Sequence, residues 1–98
     1  MTNEMFELTG FQRDLLTVIA GLDKPSGQTV KEEIEKEINE VNHGRLYPNL
    51  DVVVENGLVE KGQLDRRTNF YTLSETGREA LENRRRWENE TIPGLDDQ

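Results

Sequence analysis

No cysteine occurs in these 98 residues, so disulfides, thiolate metal sites and thiol redox sensing by the chain itself are excluded. Histidine is nearly absent: His43 stands alone and builds no metal site without several carboxylates around it. No apolar run approaches the roughly 18 residues of a membrane span. The opening MTNEMFELTG also lacks the basic and apolar regions of a signal peptide, so a cytoplasmic protein is expected. There is no phosphate-binding glycine loop, no nucleophile with a partner base and no metal-ligand cluster. No enzyme is expected, and no cofactor.

Lysine is scarce as well. Eight of the twelve basic residues are arginine, on a chain whose formal net charge is −8. Such acidity argues on its face against a polyanionic partner, which attracts basic proteins. Acid-rich, lysine-poor composition is also that of halophilic proteins, whose surface carboxylates hold hydration in a salt-saturated cytoplasm. The acidity is therefore read as a statement about solvent, and the placement of the positive charges becomes the informative feature. Hydrophobic residues make up only 33% of a chain long enough for one domain, so its stability margin is thin. A second copy sharing apolar surface would ease that shortage, and a homodimer is expected.

Phe11, Leu15, Val18, Ile19 and Leu22 recur at three- and four-residue steps and predict a first helix over about Thr9 to Leu22, with Thr9 as its cap. Val30, Ile34 and Ile38 form a narrow stripe on a charged second helix, about Gln28 to Asn39, capped by Ser26. A third helix spans about His43 to Asn56, with Asn42 as cap and Asn56-Gly57 as its stop. Pro48 is awkward there, because an interior proline costs about 3 kcal/mol or more. Either the first turn is irregular or the helix begins nearer Tyr47. Leu58 to Leu64 and Asn69 to Leu73 then read as a β-hairpin around the polar tip Asp65-Arg66-Arg67-Thr68. Ser74 caps a final helix, about Glu75 to Glu90.

Three helices followed by a hairpin make a winged helix-turn-helix, so the fold class is mainly α with a small β-hairpin and an added C-terminal helix. In such modules the second helix of the pair enters the major groove and the hairpin reaches the backbone or the neighbouring minor groove. The second helix is too acidic to read a groove. By contrast, the wing carries Lys61, Arg66 and Arg67, and the start of the third helix offers His43, Arg45, Tyr47 and Asn49 as donors.

The segments HGRLYPNLDVVVENGLVEKG and RRTNFYTLSETGREAL resemble the PadR-type regulators. The recognition helix of that family carries a glycine, a Tyr-Pro pair and a leucine ladder ending in a Gly-Leu-Val/Ile step. Its wing ends in an aromatic-rich strand that runs into a Thr/Ser-x-x-Gly helix start, and Pro25-Ser26-Gly27 also fits. The resemblance covers roughly Phe11 to Trp87. It implies tolerance of Pro48 inside the helix, and DNA binding as a homodimer, usually as a repressor, with the C-terminal helix supplying much of the dimer contact. Many members carry several helices after the wing. Here one helix follows, which resembles a short branch without a large effector domain. The acidity and arginine preference look like the haloarchaeal members, some of which act in stress responses.

The expected organisation is an N-terminal arm (1–8), the winged helix-turn-helix DNA-binding domain (9–73), a dimerisation helix (74–90) and a disordered tail (91–98). Arg66, Arg67 and Thr68 at the wing tip are expected on phosphate or in the minor groove, with Lys61 beside them; the bland alternative is a solvated turn. Arg45 and Asn49 are candidates for guanine and adenine edges, against a local helix-start hydrogen bond for Asn49. Tyr47 offers phosphate contact through its hydroxyl or ring packing beneath the wing. His43 offers phosphate contact or an ordinary first-turn position. Gln28, Thr29 and Lys31 are candidates for backbone phosphate, or simply for helix capping. Arg84, Arg85 and Arg86 are expected to pair with Glu82, Glu88 and Glu90 or with the partner subunit. Met5, Phe6, Leu8, Leu81, Arg84 and Trp87 are expected at the dimer interface. A winged-helix interaction module without DNA binding is the competing reading.

Overall fold

Thr9 opens the first helix by a reciprocal exchange. Its hydroxyl accepts from the Gln12 amide while the Gln12 side chain accepts from the Thr9 amide, so two orphan donors are satisfied at once. In the computed structural model, which describes residues 4–95, this helix α1 runs Gly10–Gly21. A 3-10 turn, Glu4–Glu7, precedes it. Helix α2 spans Gly27–Ile34 with Ser26 as cap, and helix α3 spans His43–Glu55 with Asn42 as cap. Strands β1, Val59–Gln63, and β2, Asn69–Leu73, pair antiparallel with Val59 opposite Leu73 and Gln63 opposite Asn69. Helix α4, Glu75–Thr91, follows Ser74.

Helix α2 is shorter than its apolar stripe predicts. The pattern continues to Ile38, but the chain leaves the helix after Ile34 and turns back. The cause is tertiary. Val41 is completely buried, and its amide donates to the Glu35 carboxylate at 2.7 Å, which Lys31 also approaches at 3.1 Å. That amide, then Lys31, hold the Glu35 carboxyl below the usual carboxylate range.

Pro48 lies inside α3, one turn past its start, so the irregular-start and later-start expectations both give way to a continuous helix. Its missing amide hydrogen would have served the carbonyl of Gly44, an exposed residue. The far end of α3 closes by a paired bond, Leu58 N to Val53 O at 3.1 Å and Gly57 N to Val54 O at 3.0 Å, with Gly57 at φ 77.

The core draws on every element: Leu15, Leu16 and Ile19 from α1, Val30 and Ile34 from α2, Leu46, Leu50 and Val53 from α3, Val59 and Tyr71 from the hairpin, and Ala80 from α4. A fully buried side chain of this size contributes about 1.5–3 kcal/mol. Two joints fix the wing to that core. Strand β2 is stapled to the start of α2, Tyr71 N donating to Pro25 O at 2.9 Å. At the other joint the Ser74 hydroxyl donates to Gly57 O at 2.6 Å and accepts from Gly77 N at 2.9 Å. A Cβ at Gly77 would stand 2.1 Å from the Leu58 carbonyl oxygen, so α4 can dock here only with glycine at that position.

The N-terminal segment departs from its expected role. Met5 and Leu8, expected at a subunit interface, are 1% and 5% exposed and belong to the chain's own core. Helix α4 extends to Thr91, and Ile92 to Leu95 form a turn with Leu95 N donating to Ile92 O; the last three residues of the expected tail lie outside the described residues.

Candidate nucleic-acid interface

The start of α2, the first turns of α3 and the tip of the wing come together on one side of the molecule. They frame an open groove of about 360 Å³ lined by Ser26, Gly27, Gln28, Tyr47, Arg67, Thr68, Asn69 and Tyr71. Gly27 makes the groove: a Cβ there would stand 2.7 Å from the Tyr47 ring and hydroxyl, so only glycine lets the phenol lie against the first turn of α2. Ring packing of Tyr47 is therefore present, and its hydroxyl still lines the groove. Beneath it Tyr71 is buried, which pushes its phenol up, with Tyr47 and Asp51 adding to the effect.

The wing tip is shaped by its one acid. Asp65 Oδ1 accepts from Arg67 N at 2.8 Å and Thr68 N at 2.9 Å, and Leu64 N donates to Thr68 O at 2.8 Å. Chiefly through the Arg67 amide, these bonds hold the Asp65 carboxyl below its usual value. A carboxylate occupied in this way is turned toward the backbone. Arg66 and Arg67 are exposed and have no acidic partner among the described residues. Lys61, on β1, faces α3, its amine 3.9 Å from Asp51.

On α3 the polar groups are committed to the protein. The Arg45 guanidinium lies over the Phe11 ring at 3.9 Å, a stacked arrangement that holds the cation at the surface. His43 stands edge-on to Tyr47 at 5.6 Å. Asn49 is half-buried: its Oδ1 accepts from Gln12 Nε2 at 2.8 Å, and its Nδ2 donates to Arg45 O at 2.7 Å. The local hydrogen bond weighed for Asn49 is thus formed, together with a longer-range one that sequence spacing does not reveal. On α2, Gln28 Nε2 donates to Glu32 at 3.3 Å, Thr29 Oγ1 lies 3.1 Å from the Ser26 hydroxyl, and the Lys31 amine is held by Glu35. Gln28, Tyr47, Arg67 and Thr68 meet at the groove, whereas Lys31 is paired with Glu35 just past the end of α2.

A second surface lies between α1 and α4, where a groove of about 640 Å³ is lined by Arg13, Asp14, Thr17, Leu81, Arg84 and Glu88 among others. Near its lining residue Arg84, Phe6 and Trp87 meet edge to face at 4.9 Å and are 46% and 39% exposed. Arg84 spans both rings, at 5.0 and 4.6 Å, and pairs with Glu88 at 3.5 Å. Arg86 is bonded to Asn83 instead of a carboxylate.

A family model, the transcriptional regulator PadR-like family, matches residues 15–83. Among solved structures, RosR of H. salinarum in the complex designated hsRosR-S1 is 44% identical, with a TM-score of 0.85 over 94% of this chain and 81% of that one. A PadR family transcription regulator from Clostridium difficile is 19% identical, with a TM-score of 0.69 over 91% of this chain and 97% of that one. Bacillus subtilis PadR, solved in complex with operator DNA, is 18% identical, with a TM-score of 0.60 over 76% of this chain and 47% of that one. These last two are alike in fold. No curated protein matches the chain. Among the described residues no helix is long and apolar enough to cross a membrane, and no group of three or more His, Asp or Glu could hold a metal ion.

Proposed function

The chain belongs to the PadR-like family of transcriptional regulators, and on that footing we propose that it binds duplex DNA sequence-specifically as a homodimer and represses transcription. Helix α3 enters the major groove, and the wing lies along the flanking backbone or in the minor groove. One observation carries this reading: two arginines without acidic partners among the described residues crown the wing beside a groove that also opens to the starts of α2 and α3. On a chain of net charge −8, two exposed arginines stand at the edge where a winged helix meets DNA, and a phosphate backbone is a partner that fits them.

The roles divide by reach. Arg66, Arg67 and Thr68, with Lys61, meet phosphate or the minor groove. Gln28, Thr29 and the Tyr47 hydroxyl hold the backbone at the start of α2, where the free amides of a helix N-terminus attract a phosphate. Arg45 and His43 face the base edges, Arg45 with the fork geometry that matches guanine. The ion pair with Glu35 makes Lys31 a weaker candidate than the rest of α2. Homodimerisation uses α4: Phe6, Leu81, Arg84 and Trp87 offer an aromatic-edged surface beside a groove of the right scale for a partner helix. Two α3 helices held one helical turn of DNA apart then read a two-fold symmetric site. Occupancy of a promoter by such a dimer blocks transcription without further contacts, which supports repression. The acid-rich, lysine-poor composition fits a salt-rich cytoplasm.

Selection from a pool of randomised duplexes in buffers of rising potassium chloride tests the proposal. A retained family of duplexes with a two-fold symmetric consensus is the expected outcome. No retained duplex at any salt would leave an interaction module and end the DNA reading. Sedimentation of wild type against Trp87→Ser tests the dimer, with a shift toward monomer expected.

A further inference from the structure

Two polar residues are buried among those described, Gln12 and Ser74. Ser74 is accounted for by the joint between wing and α4. Gln12, 9% exposed, does something less local. Its Oε1 accepts from Thr9 N at 3.1 Å, its Nε2 donates to Asn49 Oδ1 at 2.8 Å, and Asn49 Nδ2 donates to Arg45 O at 2.7 Å. The relay has one sense only. Thr9 N–H can only donate and the Arg45 carbonyl can only accept, so neither amide can be turned over without setting donor on donor or acceptor on acceptor. Chains of this kind strengthen one another in low dielectric, and a broken one leaves a buried group unsatisfied.

The relay ends on the main chain of the same residue whose guanidinium lies on Phe11, the neighbour of Gln12. Consecutive residues of α1 thus hold Arg45 twice, by its carbonyl through Asn49 and by its side chain directly. A bidentate contact to adenine would need Oδ1 and Nδ2 of Asn49 both facing outward, and here both are engaged within the protein. We infer that Gln12 and Asn49 are positioning residues that set the rotation of α3 against α1 and so aim Arg45 at the duplex. Asn49 acts through Arg45 instead of reading a base. This rests on the DNA-binding reading above.

The test uses Gln12→Leu, whose site is too buried to touch DNA, and Asn49→Ala, which favours helix and adds no charge. Each is put through the randomised-duplex selection. Affinity for the winning duplex is then measured with and without Arg45→Ala. Both variants are expected to bind the wild-type duplex about tenfold more weakly, the size of coupling usual for residues in one network, and to lose preference only at the base pair that Arg45→Ala also relaxes. Arg45→Ala should then cost them far less than it costs the wild type. A change of preference in Asn49→Ala at a base pair that Arg45→Ala leaves untouched makes Asn49 a base reader, and additivity with Arg45→Ala detaches the relay from the cation; either result overturns the inference. If Gln12→Leu does not fold, by circular dichroism, Asn49→Ala at its half-exposed position decides on the same readouts. A wild type that selects no duplex sinks the DNA reading itself. A wild type that selects one, with variants that match it, sinks the relay alone.

Discussion

The wing tip and the opening of α3 are both exposed, and both carry the cations proposed to meet DNA, yet they are built on opposite principles. At the tip the acid is spent on the backbone: Asp65 caps the amides of Arg67 and Thr68, and Arg66 and Arg67 are left over as long, unrestrained charges. On α3 nearly every polar group is spent on the protein: Arg45 on Phe11, Asn49 on Gln12 and on the Arg45 carbonyl, His43 against Tyr47. The difference matches two kinds of work. Attraction to phosphate is insensitive to where a charge sits within an ångström, so long exposed arginines serve it. Reading a base edge needs a donor held in place, because ordering a free side chain at the moment of binding costs about 0.5–1.5 kcal/mol.

The largest effect should come from the tip. Arg66→Ala with Arg67→Ala is expected to weaken binding by about a hundredfold on every duplex alike. It should also flatten the dependence of affinity on salt by about two counterions, one per arginine. Fluorescence anisotropy over a potassium chloride series reads both quantities. A loss confined to one sequence would place base readout on the wing and reverse the comparison. Next is Arg45→Ala, with about a tenfold loss on the preferred duplex and little on duplexes altered at the matching base pair. A uniform loss would make Arg45 another phosphate contact and erase the distinction between the two regions.

How far each region is legible in sequence follows from the range of the interactions that build it. The caps at Thr9, Ser26, Asn42 and Ser74 depend on a side chain and an amide three residues on, and all four cap where the residue type predicts. The hairpin and its polar tip are legible for the same reason. The end of α2 is not, since it is set by Val41 reaching back to Glu35 from outside the apolar stripe. Met5 and Leu8 lie in a short stretch with no period, so nothing in their spacing separates core from interface. Asn49 looks like a groove reader because it sits beside Arg45 and Tyr47, but its partner Gln12 is 37 residues away. The Thr-x-x-Gln pattern of the capping box was the available signal that Gln12 is held in place, although it points only to Thr9.

The smallest predicted effect lies in the one acid of the wing. Asp65 is held ionised by backbone donors, with its carboxyl below the ordinary 3.8, so the support it lends the turn is complete above that value. As the pH falls through the lowered folded value, protonation removes an acceptor and that support disappears. Protection of the Arg67 and Thr68 amides, relative to the intrinsic exchange rate at each pH, should therefore be lost as the wild type is titrated below the ordinary carboxylate range, and should already be missing at neutral pH in Asp65→Ala. Asp65→Asn retains an oxygen acceptor and removes a negative charge beside two DNA-facing arginines. It is expected to bind duplexes about twofold more tightly, and Asp65→Ala about as tightly as the wild type, because the gain from removing one charge near phosphate and the loss of one ordered turn are of similar small size. If Asp65→Ala instead bound more tightly than Asp65→Asn, the shape of the tip would be irrelevant and its charge everything, and the wing would be looser than its hydrogen bonds imply.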